Sequence, residues 1–398
     1  MLEVAAALEI VLDRAAPLPA ESVLLAEAAG RVLAEPVASD IDSPPYTKAL
    51  MDGYAVRSGD TGPGVTLAVI EEVAAGRLPT LAVGPGAATR IMTGAPIPDG
   101  ADAVLPHEET EAAGNHVRLR RAVTAGESIL PRGREMRSGE IVVPAGTPLT
   151  PQAIGLLAAV GRTDDVRVHG APRLAILATG DELVEAVERP GPGQIRNSNG
   201  PMLWALASRA GAVVEYLGIA PDEREGLRRL VARGLDSADV LVLAGGVSAG
   251  KFDLVPDVLK DLGVTAHFHK VRLKPGKPLL FGTRERTLVF GLPGNPVSSF
   301  VGFELFVRPA LRKMTGEAVP GPTFVPVPLA APFAARNDRP TYAPARLETT
   351  DGFRVRPADW FGSADLRGLL AADALVRLPV GPVELVAGEP LPTLLLNR

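Results

Sequence analysis

The chain has 398 residues, a formal net charge of −5 and 46% hydrophobic content, enough for several domains with cores of their own. It has no cysteine, and its five histidines lack helical metal spacing, which excludes disulfides, thiolate nucleophiles and Cys-ligated metals and speaks against a zinc enzyme. No run of about 18 apolar residues marks a membrane span, the acidic balance gives no support for nucleic-acid binding, and Met1-Leu2-Glu3-Val4 lacks the basic start of a signal peptide, so a cytoplasmic protein is expected.

Residues 1–16 carry Val4, Leu8, Val11 and Leu12 on one helical face and end at Pro17 and Pro19. A short strand over 22–25 and a helix over 27–33 follow, stopped before Pro36. Between 53 and 130, short β-type runs (54–56, 65–73, 88–91, 103–106, 117–119) alternate with glycine turns, which predicts a small all-β module inserted in the chain. Within it, Thr93-Gly94 closes an apolar run and presents a hydroxyl and free amides, although ordinary turns use the same residues. Residues 131–165 read as a connector, with Pro131-Arg132-Gly133-Arg134-Glu135, a strand over 140–143, and a helix over 152–160 opened by Thr150-Pro151.

From Arg173 the pattern becomes alternating strands and helices, the signature of a parallel α/β domain. Strand 174–178 ends in Thr179-Gly180-Asp181-Glu182-Leu183. Arg196-Asn197-Ser198-Asn199-Gly200-Pro201 opens a helix over 202–210. Strand 213–219 leads through Ala220-Pro221-Asp222 to a helix over 223–234. Strand 240–244 breaks into Gly245-Gly246-Val247-Ser248-Ala249-Gly250-Lys251-Phe252-Asp253, and strand 287–290 into Gly291-Leu292-Pro293-Gly294-Asn295-Pro296, with helices after Pro296 and over 308–314. Residues 317–398 are β-rich and proline-rich, with Trp360-Phe361-Gly362-Ser363 as their polar-aromatic cluster. The expected class is α/β plus β in a multidomain chain: 1–42 with 133–166 as a linker domain, 43–132 as the β module, 167–318 as the α/β domain and 319–398 as a C-terminal β domain.

Glycine-bearing loops that each follow an apolar run imply one sheet edge, where ligands bind in open α/β sheets. The chain has 34 arginines and seven lysines, yet Lys251, Lys270, Lys274 and Lys277 lie between positions 251 and 277. A compact ammonium suits phosphate or another oxyanion as a point charge. Asp181, Glu182, Asp222 and Asp253 fall at or just beyond strand ends of the same sheet. Carboxylates beside lysines suit Mg²⁺ held against a phosphorylated ligand, although each one alone would also serve as a helix cap or solvated turn residue. His267 and His269 alternate onto one strand face, a weak case for a metal. The loop after Gly245 is neither a Walker A loop nor a G-x-G-x-x-G turn. The residues therefore point to an enzyme that binds a phosphorylated small molecule and stabilises its transition state electrostatically, through lysines and a metal.

Six motifs in chain order, Met51-Asp52-Gly53-Tyr54-Ala55-Val56, Ile91-Met92-Thr93-Gly94-Ala95-Pro96, Thr179-Gly180-Asp181-Glu182-Leu183, Gly245-Gly246-Val247-Ser248, Lys274-Pro275-Gly276-Lys277-Pro278 and Leu292-Pro293-Gly294-Asn295-Pro296, resemble the MoeA family of molybdopterin molybdenumtransferases, to which the C-terminal domain of gephyrin is related. The resemblance spans essentially the whole chain. It implies an elongated four-domain homodimer with each active site between the α/β domain of one subunit and the β module of the other. It implies insertion of molybdate into adenylylated molybdopterin, with release of AMP and with Mg²⁺ as cofactor. The upstream adenylyltransferase and recipient molybdoenzymes would be partners. By motif, Glu182, Asp222, Asp253, Lys270 and Lys274 are implied as catalytic, and Asp222 and Asp253 as metal ligands. Asp52, Thr93, Gly245, Gly246, Ser248, Lys277, Pro293, Pro296 and Ser363 are implied as substrate-binding. Glu135 stands where the family often has Asp, and the division of roles among the carboxylates stays open. The alternatives are molybdopterin adenylyltransferase, which shares the α/β domain, and a gephyrin-like scaffold without catalysis.

Overall fold

The computed structural model describes residues 1–247, 254–350 and 352–396. The chain divides into two compact units, one of Met1–Glu35, Ala145–Thr150 and Asp165–Arg398, the other of Pro36–Pro144 and Pro151–Asp164. Among the described residues no helix is long and apolar enough to cross a membrane.

The first unit is built on a six-stranded sheet in the order Val213–Ala220, Arg173–Thr179, Val240–Ala244, Thr287–Leu292, Pro278–Arg284, Thr265–Lys270. The first four strands are mutually parallel. The sheet is mixed, however, because Pro278–Arg284 runs antiparallel to both its neighbours. Sequence reasoning had not assigned this strand. Its direction follows from the two-residue connection Glu285-Arg286, where Glu285 takes a positive φ of 54°, since so short a link can only fold back on itself. Thr265–Lys270 pairs antiparallel with that reversed strand and so runs with the parallel set. The C-terminal ends of five strands, and the N-terminal start of the sixth at Pro278, therefore share one edge.

Strand alternation sends the apolar residues to two cores. Leu174, Ile176, Val240, Val242, Leu288 and Phe290 join helices Val4–Arg14, Asn199–Arg209 and Pro296–Gly302 on one face. Ala175, Leu177, Leu241, Leu243 and Val289 join helices Arg224–Ser237 and Val255–Asp261 on the other. The C-terminal part is an antiparallel five-stranded sheet with a separate pair, Phe333–Asn337 with Gly381–Leu385. Its Tyr342, Leu369, Leu375 and Leu394 belong to the first of those cores.

The second unit holds another six-stranded sheet, ordered Ala103–Pro106, Gly53–Val56, Ala87–Ile91, Thr66–Val73, His116–Leu119, Thr110–Ala113, and the helix Pro151–Ala159. The β runs expected over 53–130 are all present. The helix expected over 27–33 is not: only the 3₁₀ turn Leu25–Glu27 forms. Gly30 takes a φ of +77°, and Val32 and Leu33 instead bridge to Pro148 and Val168, so tertiary pairing overrides local propensity.

Candidate active site

The common edge of the first unit collects most of the candidates. Arg173–Thr179 ends at Gly180-Asp181-Glu182. A Cβ on Gly180 would fall 2.5 Å from Glu182 Oε2, so the glycine leaves the space that the carboxylate occupies. On the adjacent strand end, the Asp222 amide donates to Asp181 Oδ1 at 2.9 Å and the Asp181 amide to Asp222 Oδ2 at 3.4 Å. This reciprocal exchange fixes two carboxylates side by side. At the next strand, Gly245 and Gly246 have φ of +100° and +63°. A Cβ on Gly245 would lie 2.4 Å from the Thr179 carbonyl oxygen, and one on Gly246 2.6 Å from Thr179 Oγ1. Both glycines are thus required by a close approach of two strand ends. The Gly245 amide donates to the Leu292 carbonyl at 3.0 Å, joining this turn to the start of Pro293-Gly294-Asn295-Pro296.

That loop is tied in turn. Ser299 Oγ donates to the Pro293 carbonyl, Asn199 Nδ2 donates to the Gly294 carbonyl at 2.6 Å, and Asn295 Nδ2 donates to Ser363 Oγ at 2.9 Å. Pro296 occupies the first turn of helix Pro296–Gly302, where its missing amide costs no hydrogen bond, and the Val297 amide donates to the Ser363 carbonyl at 2.9 Å. Ser363, from the C-terminal part, is therefore in direct contact with the edge.

The lysines reach the same edge from the reversed hairpin. Lys270 registers with Pro278, which puts Lys270 and Lys277 at that end of the sheet, both exposed. The Lys270 carbonyl accepts from the Leu2 amide at 3.3 Å. Lys274, half-buried, is held by its main chain: its amide donates to the Pro340 carbonyl at 3.0 Å, and its carbonyl accepts from the Tyr342 amide at 2.8 Å. Ser248, Lys251 and Asp253 lie outside the described residues.

Asp52 and Thr93 are brought together in the other unit. Asp52 Oδ1 accepts from the Thr93 amide and hydroxyl, each at 2.7 Å. The amide bond, then the hydroxyl, holds the Asp52 carboxyl below the usual carboxylate range. Asp52 lines a cleft of about 400 Å³ together with Tyr54, Arg90 and His107. Glu135 accepts from Ser43 Oγ at 2.7 Å and lies 3.7 Å from Lys48 Nζ. His267 and His269 are spent on Thr283 Oγ1 at 2.9 Å and the Val247 carbonyl at 2.8 Å.

Among the described residues no group of three acidic, His or Cys side chains is placed to hold a metal by itself. The Asp181–Asp222 pair still fits Mg²⁺, which is commonly held by one or two carboxylates while substrate phosphate and water complete its shell.

Sequence reasoning had not singled out four side chains here. Thr179 Oγ1 and Asn199 Oδ1 are buried without a hydrogen-bond partner in the described structure. Asn197, 2% exposed, and Tyr216 share a hydrogen bond of 2.8 Å. The Asn-Ser-Asn run before Gly200-Pro201 gave Asn197 and Asn199 away only as helix-capping residues, and nothing in the sequence marked Tyr216.

Known proteins place this arrangement. Residues 2–161 match the family model described as the MoeA N-terminal region (domain I and II), residues 175–313 that of a probable molybdopterin binding domain, and residues 326–396 that of the MoeA C-terminal region (domain IV). A molybdopterin molybdenumtransferase of Staphylococcus aureus is 33% identical over 389 residues, covering 96% of this chain and 93% of that protein. Its namesake in Staphylococcus epidermidis is 34% identical over 374 residues, 92% of this chain and 89% of the other. The crystal structure of the molybdopterin biosynthesis moeA protein from Pyrococcus horikoshii OT3 superposes with a TM-score of 0.85 at 31% identity, over 100% of both chains. With its three segments matched in order and full-length relatives above 30% identity, this chain belongs to the MoeA family, the molybdopterin molybdenumtransferases of molybdenum cofactor biosynthesis.

Proposed function

We propose that this transferase takes adenylylated molybdopterin and molybdate, inserts the metal into the dithiolene and hydrolyses the adenylyl bond, releasing AMP. The observation that carries the reading is the shared sheet edge, where Lys270 and Lys277 stand with the ends of the strands bearing Asp181, Glu182 and Asp222. An anionic substrate and an oxyanion need ammonium groups to bring them together, and several such groups at one edge supply that attraction. In this reading Lys270, Lys274 and Lys277 hold phosphate or molybdate oxygens. Glu182 orients molybdate or moves a proton. Gly245, Gly246, Ser248, Pro293, Pro296 and Ser363 shape the pocket wall. Asp222 and Asp253, with Asp181 beside Asp222, would hold Mg²⁺, which would offset phosphate charge. Asp52 and Thr93 act from the partner subunit of a homodimer, and each chain is organised as the four domains given above. The enzyme acts in the cytoplasm, taking its substrate from an adenylyltransferase and passing its product to molybdoenzymes.

The test is AMP release from adenylylated molybdopterin with and without molybdate. Molybdate-dependent release supports the reading. ATP-dependent adenylylation of molybdopterin by the pure protein would instead assign the preceding step.

A further inference from the structure

We propose that Tyr216 is a positioning residue of the sheet-edge site, locking the loop that carries Asp181 and Glu182 to the opening turn of helix Asn199–Arg209; this rests on the role given to Glu182 above.

The geometry is a closed set of hydrogen bonds. Tyr216 stands on the edge strand Val213–Ala220, next to the strand Arg173–Thr179, whose following loop carries Glu182. Its hydroxyl accepts from Asn197 Nδ2 at 2.8 Å and donates to Glu185 Oε1 at 3.0 Å. Glu185 follows Glu182 by three residues, and Asn197 precedes the helix. Between them the loop closes on itself. Leu183–Val184 pairs in parallel with Ile195–Arg196, the Ile195 amide donates to the Glu182 carbonyl at 2.7 Å, and the Asn197 amide to the Val184 carbonyl at 2.9 Å. Asn197 Oδ1 accepts from the Gly200 amide at 3.0 Å and so caps the helix. The Tyr216 ring fills the space beside Gly200, where a Cβ would meet it at 2.9 Å.

The helix start then hands the constraint onward. Asn199 donates to the Gly294 carbonyl, and Asn295 donates to Ser363. One chain of contacts thus runs from Tyr216 across the edge to Ser363, and it meets Glu182 at its carbonyl. Phenylalanine would pack as well as tyrosine here, so the hydroxyl is present for its bonds. Burial, then Glu185, pushes that hydroxyl's pKa up to about 12, so it remains a fixed donor at every working pH. Without it, the buried Asn197 amide would lose its acceptor and Glu185 its donor, and the Glu182 loop would lose its tie to the sheet. A sub-ångström drift of a reacting carboxylate lowers turnover more than binding.

The experiment compares Tyr216→Phe, Glu185→Gln, Glu185→Ala and Glu182→Gln in the molybdate-dependent AMP-release assay, with Tm and amide hydrogen exchange measured on each. Tyr216→Phe and Glu185→Ala are expected to lower kcat about tenfold at near-parental KM, with Tm lower by no more than a few degrees and with faster exchange over residues 183–196. Glu185→Gln keeps an acceptor for the hydroxyl and is expected to turn over like the parent. Parental kcat in Tyr216→Phe overturns the proposal. So does a loss of kcat that vanishes when each variant is assayed well below its own Tm, or a Glu185→Gln variant as slow as Glu185→Ala. Glu182→Gln separates the two levels: full activity there removes the role of Glu182, whereas an inactive Glu182→Gln beside a fully active Tyr216→Phe removes Tyr216 alone.

Discussion

Single side chains in this protein are set by what their neighbours donate. Asp52 is fully exposed, yet two donors from Thr93 keep its carboxyl ionised below the ordinary range. A carboxyl whose folded pKa is depressed stabilises the fold above its unfolded value of about 4, and that contribution is lost as pH falls through the folded value. Comparing the urea midpoints of the parent and Asp52→Asn between neutral and strongly acidic pH should therefore give a gap that is constant above about pH 5 and closes below about pH 4. A gap that widens on acidification would contradict the hydrogen-bond assignment. Lys274 poses the complementary test. Its backbone is anchored on both sides, so Lys274→Gln keeps the fold while removing the charge. Molybdate-dependent AMP release should fall by about a hundredfold or more, with an unchanged circular dichroism spectrum. The lysine cluster was legible in sequence because this chain otherwise prefers arginine. Tyr216 was not, because a tyrosine on an edge strand looks like any other exposed aromatic until its partners are known.

At the level of elements, the Gly245-Gly246 turn is fixed by space. Thr179 from the neighbouring strand lies where a side chain would begin. Gly245→Ala should cost about 2–3 kcal/mol in chemical denaturation, from positive-φ strain and the clash together, and should reduce activity. A variant as stable as the parent would show that the two strand ends can separate. Helix Pro296–Gly302 continues through a π-helical segment, Phe303–Val307, into Arg308–Met314. There Arg308 grips Glu304 with two bonds of 2.7 Å each, both side chains largely buried. Removing one partner strands the other, so Glu304→Ala should destabilise by about 3–5 kcal/mol while a paired replacement by apolar residues would not. Such pairs are not visible in sequence beyond their four-residue spacing. The strand Pro278–Arg284 escaped for a related reason: its start lies within a proline-glycine-lysine run that reads as turn, and only the hairpin partner Thr287–Leu292 makes it a strand.

On the scale of the whole molecule, the C-terminal β part shares a core with the α/β sheet. Tyr342, Leu375 and Leu394 pack in the same cluster as Ile176, Phe290 and Val11. A chain ending at residue 318 would therefore expose apolar surface of the α/β part, and should show a lower Tm and increased binding of a hydrophobic dye. An equally stable truncation would show that the two parts are independent. Two compact units also make a single all-or-none transition unexpected for the full chain. Calorimetry should give a van't Hoff enthalpy below the calorimetric one.

Sequence alone determined the α/β pattern, the inserted β strands, the glycine-bearing strand ends and the cluster of lysines and acids, because periodicity, turn chemistry and residue choice are local properties. Only the tertiary structure decided that a reversed hairpin carries Lys270 and Lys277 to the edge that Glu182 and Asp222 occupy, that Ser363 reaches it from the far end of the chain, and that Tyr216 and Asn197 brace it. Those facts depend on which strands pair and in which direction, and pairing is settled by burial and hydrogen bonding between segments far apart in the chain.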